Sequence, residues 1–459
     1  MSGAVSPSLF DEITIQSADD TKRTVDIRGG VLSINYYESI LSPSYSMKLV
    51  VIDTAESIED KKTGRPTTIY QGLPLRGGEK VYIRISGNTR NNPPLEFVNK
   101  PLIVRGISNA SIGGQKQIFS LDLVPETAII NEVNFVEKVY TSKPISLIVE
   151  DVLKNKLNLR SGEYKIDPTS GPIGFSGNME KPFKVLNKLA KNAVSTNTNA
   201  INISAGFFCF QTREKFKFTS IDSLCAQKAI TEYVYTEINI NAVDFHPTPE
   251  LPSLDRKIIS YTIIKNQDIV GNLKTGAYAT TRQFFNPVSF QVTFPEVGSY
   301  SSIDYGNKPL LPTLGAQPLG EDIFNNSSDG NNSNTVKNYF NQSSRILNGV
   351  LPVGTYTGKE VSKVFDEEPF LTESQRKTRY NTLFNQALQV LVPLNSKLRA
   401  GDVISLKIPT QGLGNVSRTD EEISGAYLIK DICHNYSADG SYTSMKVVRD
   451  TYGTRKTYN

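Results

Sequence analysis

The chain has no tryptophan, four methionines, three cysteines and two histidines in 459 residues. Each scarcity closes off a class of chemistry. Cys209, Cys225 and Cys433 form an odd, sparse set without a CxxC pair, which argues against a disulfide framework and predicts synthesis in a reducing compartment. With only His246 and His434 to draw on, a histidine-based active site or zinc centre has few ways to be built. Cys433 and His434 are adjacent, but neighbours on a strand point to opposite faces, so His434 reads as a core residue rather than a ligand. The HExxH, P-loop, GxSxG and GxGxxG patterns are missing. No window approaches ~18 consecutive apolar residues, so no transmembrane helix is predicted. Met1 to Phe10 lacks the basic and apolar regions of a secretory signal. The expectation is a protein made in a cytoplasm that stays soluble or assembles there, with no catalytic, metal-binding or cofactor-binding residues.

A dominant charge is missing too. Lys and Arg number 50 against 46 Asp and Glu, a formal net charge of +4. That leans against a dedicated nucleic-acid binder, where a concentrated basic field supplies most of the non-specific affinity. Acidic residues do cluster, at Asp19-Asp20, Glu59-Asp60, Asp366-Glu367-Glu368 and Glu421-Glu422. A glycosidase needs two carboxyls a set distance apart in a cleft, which sequence neighbours in loops seldom provide, so these read as solvated surface. Lys181, Lys184, Lys188 and Lys191 read as the wet side of a helix.

What is present favours strands. Hydrophobic residues make up 38% and charged residues 21%, with 21 Tyr and 21 Phe. Much of the rest is Asn, Ser and Thr, which compete with helical backbone bonds. The first part of the chain shows apolar alternation at Ile13 and Ile15, Val31 to Ile34, Met47 to Ile52, Val81 to Ile85, Leu102 to Val104 and Ile118 to Leu123. Gly29-Gly30, Gly77-Gly78 and Gly113-Gly114 mark turns between them. This predicts a sandwich or barrel over 1–125, with a brief helical turn near Ala55 to Lys61. The pattern then turns helical. Ile145, Ile148, Val149, Val152, Leu153 and Leu157 share one face after Pro144, and a second helix from Pro182 buries Phe183, Leu186, Leu189, Ala190 and Ala193. With strands at Phe207 to Phe210 and Phe216 to Phe218, residues 126–230 read as a small α+β domain.

Strand-like segments return over 231–319, including Lys257 to Ile264 and the alternating Phe290, Val292 and Phe294. The Asn/Ser-rich stretch 320–345 reads as a mobile loop, since it cannot bury enough apolar area to offset its ordering entropy. Over 346–459, Thr372 and Gln375 form a capping-box pattern for a helix running to about Gln386. Strands follow at Leu388 to Val392, Val403 to Leu406, Ala426 to His434 and Tyr442 to Arg449. The last two form a hairpin across Ser437 to Gly440.

The motifs Leu398-Arg399-Ala400-Gly401-Asp402, Ser424-Gly425-Ala426-Tyr427 to His434, and Tyr442 to Asp450 resemble the tube-like domain of phage-tail hub proteins. The likeness is nearest to the baseplate central hub of T-even-type contractile phages, in its cyanophage form. Tyr36-Tyr37-Glu38-Ser39-Ile40-Leu41-Ser42-Pro43, Leu73 to Glu79 and Gly206 to Arg213 extend the resemblance over most of the chain, though not over about 295–370. It implies an α+β, mainly β fold: two tail-tube-like antiparallel β-barrel or sandwich domains with an inserted small α+β domain. It further implies a non-enzymatic homotrimer in the virion baseplate, assembled in the host cytoplasm. Its expected partners are the central spike, the tail tube or tube initiator and the wedge proteins, with DNA crossing the lumen without specific binding. Tyr36, Tyr37, Glu38, Gly401, Asp402, Ser424, Gly425, Tyr427, His434, Tyr442, Arg449 and Asp450 are the structural positions that carry the likeness. Two other readings stand beside it. One is a tail enzyme on the same hub domain that degrades or binds the cell wall. The other is a hub-spike component of a secretion machine.

Overall fold

The computed structural model describes residues 7–451 apart from 20–21, 55–57, 60–63, 74, 87–91, 114–115, 197–202, 236–253, 267, 287–289, 294–298, 302–318, 320–342, 351–372 and 411–418. The fold is mainly β, as the composition indicates. The first unit is an antiparallel wall. From one side it runs Val31–Ser39, Ser46–Thr54, Lys116–Val124, Leu102–Gly113, Lys80–Ser86, Leu9–Gln16 and Thr24–Asp26. Alternation sends Ile34, Leu49, Leu121, Ile83 and Ile13 to one shared core, each burial contributing about 1.5–3 kcal/mol. The short helix α1 (Ile69–Gly72) covers part of it. The expected helical turn at 55–61 is not seen: its described residues, Ile58–Glu59, form a short strand paired with Pro66–Thr67. Ile58 reaches the core from that pairing, where a strand edge delivers its side chain.

The inserted part carries α2 (Glu126–Val133), α3 (Ile145–Asn155) and α4 (Pro182–Asn192). The predicted α3 face is buried in full, and α4 buries Val185 where the sequence pointed to Phe183, which is only partly covered. Pro144 is the N-cap of α3. Lys184 and Lys188 both pair with Glu180, which accounts for half of the lysine stripe. Phe207–Gln211 pairs with Phe216–Ser220, and α5 (Ile221–Cys225), capped by the Ser220 hydroxyl, follows.

The second β unit joins Ser260–Lys265, Gln386–Pro393, Tyr442–Arg449, Gly425–Ser437 and Val403–Lys407 by antiparallel pairing. Glu232–Tyr235 and Lys257–Ile258 then add in parallel. Lys257 to Ile264 is thus two strands, not one. Beside this unit, α6 (Ile269–Thr275) and a small sheet around Ala279–Asn286 pack near α7 (Glu373–Leu383). Phe290 stands at φ 54 just before a strand of only three residues, Gln291–Thr293, and Phe294 lies outside the described residues. So do Thr372, His246, Asp366-Glu367-Glu368 and nearly all of 320–345.

The helix predicted to reach Gln386 stops at Leu383. Gln386 instead opens a strand opposite Arg449, because its side chain is needed there as a buried acceptor for the Tyr427 hydroxyl at 3.0 Å.

One strand makes the two β units a single sheet. Gly425–Ser437 has Tyr442–Arg449 along one edge. Its other edge is shared: Gly425 to Leu428 pairs with Val403–Lys407, and Asp431 to Ser437 pairs with Val31–Ser39. The hairpin end also reaches the first strand, where Ser8 Oγ lies 2.8 Å from Ser441 Oγ.

Candidate functional site at the meeting of three units

The turn from Ser396 to Asp402 lies where the two β units and the inserted domain meet. Gly401 adopts φ +85, and a Cβ there would lie 2.8 Å from Phe210 Cζ. Conformation and space therefore both require glycine. Asp402 Oδ2 accepts from the Arg399 N–H at 2.8 Å, closing the turn. Gln227 of the inserted part donates to Gly401 O at 2.8 Å. The turn is pinned to the long strand by two backbone bonds, Gly401 N–H to Ile429 O and Ile429 N–H to Asp402 O.

Glu38 ties this turn to the rest. Its carboxylate, 2% exposed, accepts from the Tyr36 hydroxyl at 2.6 Å in its own strand. It also accepts from the Arg213 N–H at 2.9 Å in the inserted domain and from the Ala400 N–H at 3.0 Å in the second unit. Three units thus share one acceptor. Hydrogen bonds to a charged group are the strong ones, and a buried donor left unmet costs about 1–3 kcal/mol.

His434 packs beside it, with Nε2 3.2 Å from Leu398 O and Nδ1 3.0 Å from Thr443 Oγ1. A carbonyl only accepts, so Nε2 carries the proton and Nδ1 takes the threonine hydroxyl. Burial, and then the positive charge of Arg399, push the imidazole pKa down to about 3, which makes it a neutral core group. Burial raises the Asp402 carboxyl to about 6, against the pull of Lys217 and the Arg399 N–H. Cys433, next to His434, looks the other way toward Asn35.

A second cluster lies farther along the same strands. Arg449 is fully buried. Its guanidinium donates to Ser424 O at 2.9 Å, to Gln386 Oε1 and to Glu422 O, and lies 4.5 Å from the Tyr427 ring centre. Asp450 accepts from the Leu319 N–H at 2.9 Å. Gly425 begins the long strand beside them.

The motif positions therefore separate into three places. Tyr36, Glu38, Gly401, Asp402 and His434 meet at the junction, whereas Ser424, Gly425, Tyr427, Arg449 and Asp450 gather at the second cluster. Tyr37 and Tyr442 stand on the opposite, core-distal face of the sheet. Sequence reasoning did not single out Arg213, Ala400, Gln227 or the buried Arg379–Asp222 pair that fixes α7 to α5. Two of these contacts are made by backbone N–H groups, which carry no residue signature.

The core-distal face runs across the joint without a break. Ser33, Asn35, Tyr37 and Ser39 stand opposite Ser437, Asn435, Cys433 and Asp431. Asn435 donates to Asn35 Oδ1 at 2.6 Å, and Ser39 to Asp431 at 2.5 Å. This strip is polar with little net charge. Among the described residues no cluster of His, Cys, Asp and Glu has metal-holding geometry, and no helix is long and apolar enough to cross a membrane. The arrangement at the junction is chemically that of a joint.

No family model and no curated protein matches the sequence. Solved structures do match in fold. The 43 kDa tail protein of prophage MuSo2 from Shewanella oneidensis is 11% identical with a TM-score of 0.50, covering 96% of this chain and 98% of that one. The tail protein from Neisseria meningitidis MC58 is 8% identical with a TM-score of 0.51, covering 96% of each chain. The chain shares the fold of these phage tail proteins over nearly its whole length.

Proposed function

We propose that this chain, which has the fold of phage tail proteins, is the central hub of a contractile-tail baseplate. Three copies, each with two β units, form a ring of six similar units that adapts the hexameric tail tube to a threefold spike. The observation that supports this reading most is the single sheet passing through both units, joined at Asp431 to Ser437 against Ser33 to Ser39. A wall of that kind holds two units at a fixed angle, as one third of a ring requires, and a closed ring removes exposed strand edges. Its core-distal face of Ser, Asn and Tyr suits a lumen for DNA, because strong cation pairing would arrest a polyanion. Spike, tube or tube initiator, and wedge proteins are the partners in this reading, with assembly in the host cytoplasm and a role that is structural rather than enzymatic. Sedimentation should give a trimer, alone or with the spike partner, and electron microscopy a threefold ring with six similar lobes. A strict monomer under both conditions would overturn the ring, and peptidoglycan lysis by the purified chain would return the enzyme reading.

A further inference from the structure

A groove of about 390 Å³ opens where α4, the strand Phe207–Gln211, the turn after Val31–Ser39 and α7 meet. Its floor is aromatic. Phe208 packs edge-on against Tyr380 with ring centroids 5.3 Å apart, and Phe384 continues that surface. Leu41 stands at the lip, 53% exposed. The rim is cationic. Lys191 is exposed beside the groove, and Lys430 Nζ lies 5.8 Å from the Phe384 ring centre, with Asp431 at 3.2 Å offsetting part of its charge. None of the groove's described lining residues is acidic. A single exposed leucine is ordinary on a protein surface; one set over an aromatic floor with a lysine rim is a recess with a chemical preference.

We propose that this groove docks a partner chain that presents a large apolar side chain beside a carboxylate. The aromatic floor would desolvate the apolar anchor, and central aromatic pockets of this kind carry most of the energy of an interface. The lysine rim sets the sign of the neighbouring charge and disfavours a basic segment. The walls come from the first unit, the inserted domain and the α7 region, and Ile40, at the groove, is two residues from Glu38. An occupant therefore bridges the first unit and the inserted domain from outside, beside the Glu38 joint. This inference goes beyond the ring reading and does not depend on it.

The test uses the full chain and two fluorescein-labelled peptides, one of Phe, Leu and Glu, the other with every Glu replaced by Lys, followed by anisotropy. The acidic peptide should saturate one site per chain while the basic one does not bind. Lys191→Glu should weaken the acidic peptide at least ten-fold and admit the basic one, and Leu41→Asp should weaken the acidic peptide alone. Both side chains are exposed, so circular dichroism should stay unchanged. Equal binding of the two peptides, or acidic binding unaltered in both variants, overturns the proposal. Sedimentation adds one more outcome. If Leu41→Asp abolishes self-association and the acidic peptide reverses it in the wild type, the occupant is a second copy and a separate partner is excluded.

Discussion

Two buried polar groups, Glu79 in the first β unit and Arg449 in the second, are used in opposite ways. In the first, Glu79 closes a local turn: 1% exposed, it accepts from the N–H groups of Arg76 and Gly77, three and two residues away. In the second, Arg449 and Asp450 bind distant segments: Arg449 donates to acceptors 25, 27 and 63 residues away, and Asp450 accepts from an N–H 131 residues away. The first unit is continuous from Leu9 to Val124. The second is assembled from 232–265 and 386–449, with the small sheet and α7 between them. A unit built from distant pieces must order long loops before its contacts form, and buried polar groups with distant partners make that assembly specific. The difference is one of how far each unit depends on the rest of the chain.

The sharpest way to break this comparison is to remove one group from each unit. Arg449→Ala should cost about 3–5 kcal/mol in chemical denaturation, because it empties a buried site and strands its carbonyl partners. Glu79→Ala should cost only about 1–2 kcal/mol, since the freed turn N–H groups lie near water. Equal losses would dissolve the distinction.

The second expected effect is one of pH and concerns the junction turn and the second unit. The Asp402 carboxyl, raised to about 6, stabilises the fold when protonated, and that contribution is lost as pH rises from about 4 to 6. His434, lowered to about 3, stabilises the fold when neutral, and its contribution is lost as pH falls from about 6.5 to 3. Between pH 4 and 6 the two opposing slopes, each about 1.4 kcal/mol per pH unit, offset one another. Asp402→Asn should unmask the histidine, so that stability relative to wild type falls by about 3 kcal/mol on going from pH 6 to 4. His434→Gln should show the reverse trend. Urea titrations across that range decide it, and parallel curves for all three proteins would sink the idea.

The smallest effect tests a place where the comparison fails. Glu38 belongs to the first unit, yet its partners lie 175 and 362 residues away. Glu38→Gln keeps the shape and one carbonyl acceptor but lacks the charge, and should cost about 1–2 kcal/mol. Limited proteolysis should then cut more readily between the first unit and the inserted domain. Unchanged stability and cleavage would make Glu38 a local group like Glu79.

Much of this architecture was legible in the residues themselves. Period-two alternation fixed the faces of Val31–Ser39, Ser46–Thr54 and Lys116–Val124, and period-3.6 patterning fixed the buried side of α3. Those signals are strong because each element meets its core along its whole length, so every residue reports the same environment. The motif at Leu398 to Asp402 carried a family likeness, and Gly401 and Asp402 serve it by building a turn through local geometry. Weaker signals misled where the environment changed within an element. Gln386 has the propensity of a helix former, but its side chain is held by Tyr427 and Arg449 and its backbone by a strand ladder. The α6 and α5 helices are too short for periodicity to show.

The tertiary structure alone decided which strands meet. Ser39 and Asp431 are 392 residues apart in sequence, and no local pattern in either strand specifies the other, since many polar-faced strands could satisfy the same ladder. Nor could the sequence assign Glu38 its place, because its donors at Arg213 and Ala400 are backbone N–H groups that every residue but proline possesses. The sequence determined the faces, the turns and the scarcity of reactive side chains. The joining of two β units into one sheet came from long-range pairing, through which three distant segments find the same buried carboxylate.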